Sequence, residues 1–83
     1  MTNIDNKIQM QTQTPTPEAV VALKKKIKKL NSKAGQVKMD LHDLAEGLPA
    51  DYENLIEEAR KTYKIYHELA ELKQQLKTWE EEL

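Results

Sequence analysis

Between Val20 and Leu48, apolar residues recur at Val20, Leu23, Ile27, Leu30, Ala34, Val37, Leu41, Leu44 and Leu48, in steps that alternate between three and four. This is the a/d seam of a heptad repeat, and a chance sequence rarely sustains one for so long. It leaves few folds open: a long helix with one apolar stripe must pack that stripe against another helix. Gly35 sits inside this stretch, off the seam, at a cost of about 1 kcal/mol relative to alanine, yet the period continues through it. At the start of the pattern Thr16 can cap, Pro17 suits the first helical position, and Glu18 complements the positive end of the helix dipole.

Gly47-Leu48-Pro49 stops the helix. Glycine suits the left-handed position after a helix, and proline cannot continue one. A second helix is expected from Asp51 or Tyr52, with Asp51 as its cap, to near Glu82. Its later half repeats the seam at Ile65, Leu69, Leu72, Leu76, Trp79 and Leu83. Its earlier half is wider: Leu55, Ile56, Ala59, Tyr63 and Tyr66 cover two adjacent faces, which implies contact with more than one neighbour. Two helices of about 45 Å each, joined by a short turn, fold back on one another. The expected fold is therefore all-α, an antiparallel two-helix, coiled-coil-like hairpin. Because a lone pair leaves each seam half exposed, the hairpin is expected to associate into a four-helix-bundle dimer or a higher oligomer. Residues 1–16, rich in Gln, Thr and Asn, read as a disordered arm. Residues 17–83 form the hairpin, with helix 1 at about 17–47, the turn at 48–51 and helix 2 at about 52–82.

Eighty-three residues make one small domain. The absence of cysteine excludes disulfides, thiolate metal sites and thiol nucleophiles. A net charge of −1 gives no global attraction to nucleic acid or to acidic membranes. No apolar run is long enough to span a bilayer and no signal peptide stands out, so the expected location is cytoplasmic. No Gly-rich phosphate loop and no nucleophile with an evident base is present, and a narrow hairpin offers no substrate pocket, so no enzymatic activity is expected.

Charge along helix 1 is segregated. Residues 24–38 carry Lys24, Lys25, Lys26, Lys28, Lys29, Lys33 and Lys38 and no acid, whereas residues 40–58 carry Asp40, Asp43, Glu46, Asp51, Glu53, Glu57 and Glu58 and no base. LKKKIKKL can be a phosphate-binding patch. The favoured reading is a solvated face pairing with Glu68, Glu71 and Glu80 to Glu82 on the returning helix, because this helix has no arginine for base contacts. With Leu41 at a and Leu44 at d, His42 falls at b and Met39 and Glu46 at f. A hairpin centred on Pro49 and Ala50 brings His42 level with Glu57 and Glu58. His42, Asp43, Glu46, Glu57 and Glu58 thus form a candidate site for a divalent cation such as nickel, zinc or iron, and a nearby dimer axis could add a second histidine. The alternative is an acidic turn with one solvent-exposed histidine. His67 has fewer carboxylates around it and reads as a surface or packing residue.

The segment Met39-Asp40-Leu41-His42-Asp43-Leu44-Ala45-Glu46-Gly47-Leu48-Pro49, flanked by a lysine-rich helix before and a Tyr-, Leu- and Lys-rich helix after, resembles the Rop-like family of small proteins encoded in bacterial nitrogen-fixation gene clusters. The resemblance covers about Val20 to Leu83. It implies an antiparallel helical hairpin that associates further. It also implies a metalloprotein whose family histidine is His42, with a role in nitrogen fixation and no established activity. RNA binding does not follow from the architecture alone. Three functions are therefore expected in competition. One is a non-enzymatic accessory protein of nitrogen fixation that binds a metal or a protein partner near the turn. The others are an RNA-binding hairpin dimer using Lys24 to Lys29, and a structural coiled-coil adaptor.

Overall fold

A computed structural model describes residues 15–82, so most of the arm expected at 1–16 lies outside the described residues. Helix α1 spans Pro17–Glu46, a 3-10 turn spans Tyr52–Asn54, and helix α2 spans Leu55–Glu82. The two long helices pack against each other in a hairpin, and no strand occurs among the described residues.

The start of α1 forms as its sequence dictates. The Ala19 N–H donates to Thr16 Oγ1 at 3.1 Å, and Pro17 opens the helix. The seam then packs inward: Val20, Leu23, Ala34 and Val37 of α1 and Leu69 of α2 are buried. The other seam residues within the two helices are half-buried, whereas Leu48, in the turn, is exposed, and Leu83 lies outside the described residues. Ala34, at 1% exposure, is the most enclosed side chain of the core, so the helices meet over a small residue there. Lys24 Nζ reaches Glu80 Oε2 at 3.4 Å across the open end and confirms the antiparallel arrangement.

The turn differs from the sequence expectation in two details. Gly47 is right-handed (φ −86°, ψ −2°), and its N–H donates to the Asp43 and Leu44 carbonyls. The left-handed residue is Asp51, at φ 56°. Aspartate is among the few non-glycine residues that adopt this region readily, so the reversal is placed at Asp51 and Gly47 is left free to end the helix regularly. The side chain of Asp51 therefore caps nothing. Its carbonyl instead accepts from the Asn54 N–H at 2.9 Å, which starts the 3-10 turn that delays α2 to Leu55. The Leu48–Pro49 peptide is cis.

Candidate functional site

Heptad letters, continued from Leu41 and Leu44 on α1 and from Leu69 (a) and Leu72 (d) on α2, sort the surface into two flanks. Positions e and b project to one side of the seam, and g and c to the other. The structure agrees with the sorting. Lys24 and Glu80, both e positions, meet on the first flank. Two shallow inter-helix grooves are lined by g, c and d positions on the second.

His42, a b residue, lies on the first flank. Its Nδ1 is 3.7 Å from Asp43 Oδ1 and its Nε2 is 3.8 Å from Glu46 Oε2, with all three side chains largely exposed. A protonated imidazole would gain weak ion pairs here. A neutral one presents a ring nitrogen to solvent beside two carboxylates. Glu57, at c on α2, stands on the opposite flank, and Glu58, at d, opens toward it. Glu57 accepts from Arg60 Nη1 at 3.0 Å, and Glu58 pairs with Lys61 Nζ at 3.1 Å. That hydrogen bond, with the added field of Glu58, Asp40 and Glu57, raises the Lys61 pKa above its ordinary value. The expected set of five therefore divides. His42, Asp43 and Glu46 gather on one helix, and Glu57 and Glu58 join Asp40 and Asp43 around a groove over Leu44 on the other side. Among the described residues no three His, Asp or Glu side chains converge as they would around one ion. Position along the axis alone does not bring these side chains together, because the b position of His42 and the c position of Glu57 project to opposite flanks.

Two features of this surface sharpen the sequence expectations of a wide early half of helix 2 and of a lysine-rich stretch on helix 1. On the His42 flank, Tyr52, Ile56, Ala59, Tyr63, Tyr66 and Ala70 follow one another in steps of four and three, a second apolar stripe beside the core seam. Ile56 is 70% exposed and Tyr63 69%. Gly35, also at b, shares that flank, and a Cβ added there would meet nothing within 4 Å. The step pattern of the stripe was available as a signal, since it repeats the heptad one position over. On the second flank Lys26, Lys29 and Lys33 line a groove floored by Leu30, with Glu68 opposite. Of the seven lysines between 24 and 38, only Lys24 has an acidic partner among the described residues, so the expected pairing with α2 is confined to one bridge. His67 stacks on Tyr63, with ring centroids 5.6 Å apart, and pairs with Glu71 at 3.4 Å.

Residues 18–81 match the family model described as Rop-like. The chain belongs to the Rop-like family. This Rop-like hairpin is similar to a UPF0437 protein of Trichormus variabilis, 61% identical over 69 residues that cover 83% of this chain and 80% of the relative. It is also similar to a Frankia alni protein described as a UPF0437 protein in the nifX-nifW intergenic region, 51% identical over 49 residues, covering 59% and 60% of the two chains. A crystal structure of a DUF683-family protein from the cyanobacterium Cyanothece 51142 superposes with a TM-score of 0.80 at 72% identity, covering 81% of this chain and 94% of that one. No helix among the described residues is long and apolar enough to cross a membrane.

Proposed function

We propose that this protein is a non-catalytic accessory protein of nitrogen fixation. In this reading it pairs with a second copy through the His42 flank and holds a divalent transition metal between the two His42 side chains. The nitrogen-fixation context rests on the Frankia alni relative, whose gene lies between nifX and nifW. The observation that carries the molecular reading is the coincidence on one flank of His42 with the exposed Ile56 and Tyr63 and the uncrowded Gly35. Apolar side chains this exposed are a cost in a solitary hairpin and are covered by pairing. Gly35 lets a neighbouring backbone come close, because no side chain intervenes.

One imidazole with two carboxylates on the same helix is an incomplete coordination shell. A second imidazole from a two-fold partner brings the donors to two nitrogens plus carboxylate oxygens, a set suited to nickel, zinc or iron. Asp43 and Glu46 are the carboxylates in place. Glu57 and Glu58 face away from His42 and have no part in this version of the site.

The test is a titration of the full chain with nickel, zinc and iron(II), followed by calorimetry and by the mass of the complex, for wild type and His42→Ala. The expected result is one metal per two chains in wild type and none in the variant, with helix content unchanged. Equal binding by the two proteins, or no binding by either, removes the metal from the reading. A hairpin that stays monomeric at high concentration removes the pairing.

A further inference from the structure

We infer that the flank opposite His42 is a second, self-complementary contact surface, on which two hairpins dock antiparallel through matched ladders of lysine and carboxylate on α1. This lies beyond the pairing proposed above and draws on the other flank, sharing with it only Asp43 and Glu46, which border both.

The residues concerned are the g and c positions of α1. Reading along that flank, Lys26, Lys29 and Lys33 are followed by Gln36 and then by Asp40 and Asp43, with Glu46 one step round at f. Among the described residues Lys26, Lys29 and Lys33 form no ion pair, although Glu68 borders the same groove, and Asp40 has no basic partner. Each ladder borders a groove whose floor is a half-buried seam leucine, Leu30 under the lysines and Leu44 under the acids.

The two ladders are also spaced alike. A two-fold axis through Gln36 sets Lys26 against the second copy's Glu46, Lys29 against its Asp43, and Lys33 against its Asp40. Every pairing is made twice. The registers agree to within one residue, about 1.5 Å along a helix. Leu30 then lies two residues, about 3 Å along the helix, from facing the second copy's Leu44, within reach of a leucine side chain, so each groove floor is bordered by the other. The residue on the axis is neutral: Gln36, whose amide donates to Asp40 Oδ1 at 2.9 Å, meets its own copy there without charge repulsion. An isologous contact of this kind closes on itself.

The occupant is a copy of this chain because the chain itself carries the complement at matching spacing. A nucleic acid would find lysines, Lys26, Lys29 and Lys33 on α1 and Lys61 and Lys64 on α2, with no arginine fork and no aromatic side chain on this flank, which gives charge without readout.

Salt separates this contact from the apolar pairing on the His42 flank. Sedimentation of the full chain is compared at about 0.01 M salt, where charges act over about 30 Å, and at about 1 M, where they act over about 3 Å. The expected mass at low salt is at least twice that at high salt. Lys33→Glu and Asp40→Lys each place like charges opposite one another twice, and each abolishes the low-salt gain. The double variant Lys33→Glu/Asp40→Lys restores opposite charges and recovers it, with circular dichroism showing equal helix content throughout. A wild-type mass that does not respond to salt overturns the proposal, as does a double variant that behaves like the single ones. If mass ignores salt while a single-stranded RNA probe is retarded at low salt, and Lys33→Glu abolishes the retardation, the lysines serve nucleic acid and the self-contact is wrong. Ile56→Glu leaves the salt-dependent gain in place, so failure of this contact and failure of the His42-flank pairing are read separately.

Discussion

Gly35 is the residue whose presence the hairpin explains least. It sits inside a thirty-residue helix with no positive φ and no neighbour that a methyl group would strike. Alanine there should stabilise the isolated hairpin by about 0.5–1 kcal/mol. If Gly35 marks a close helix approach on the His42 flank, the same change should weaken association. Thermal melts of Gly35→Ala at low and high protein concentration check both: a higher midpoint when dilute and a smaller rise on concentrating. A variant that gains equally at every concentration would show that no partner approaches Gly35. Glu58 is a second anomaly. It stands at a seam position on α2, its Oε2 satisfied by Lys61 and its Oε1 buried with no hydrogen-bond partner among the described residues. A buried carboxylate oxygen left unpaired costs about 1–3 kcal/mol. Glu58→Leu should therefore raise the urea midpoint, by filling the seam with the residue type its period calls for. A drop in the midpoint would mean that the Lys61 pair matters more than the orphaned oxygen.

At the scale of elements, both helices were legible because a strict three-four period has only one geometric solution. The capping by Thr16 was legible for a similar reason, since a hydroxyl before proline has one role at a helix start. The turn was less so. Gly47 and Asp51 both tolerate positive φ, and nothing local says which will take it; Asp51 does, and the 3-10 turn follows. The candidate site was legible only in one dimension. Matching positions along the axis brought His42 level with Glu57 and Glu58, but b and c positions point to opposite flanks, so level residues do not meet. Leu69 shows how unevenly the seam is buried: it is 4% exposed, whereas Leu72, one step along the same seam, is half-buried. Leu69→Ala should cost about 2–5 kcal/mol, and Leu72→Ala clearly less, when both are measured by chemical unfolding of the dilute chain. Equal losses would mean that Leu72 is covered as fully as Leu69, which the lone hairpin does not do.

At the scale of the whole molecule, the hairpin is a thin plank of 55 × 29 × 15 Å. A body one helix deep has no interior beyond its seam, and its buried apolar side chains are few: Val20, Leu23, Ala34, Val37 and Leu69. A chain of this size with so small a core stands near the margin of stability and gains from any partner that binds only the folded form. The unfolding midpoint should therefore rise with protein concentration, as mass action requires when folding and association are linked. On the pairing proposed above, the exposed stripe supplies the residues responsible. Ile56→Glu places a charge in the middle of it, at a position so open that the hairpin itself loses little. The expected outcome is a midpoint equal to that of wild type when dilute but flat with concentration, with the sedimenting mass reduced to that of a monomer at high salt. Should Ile56→Glu keep the concentration dependence, the stabilising contact lies elsewhere, and the salt response of the lysine-carboxylate flank then becomes the deciding measurement.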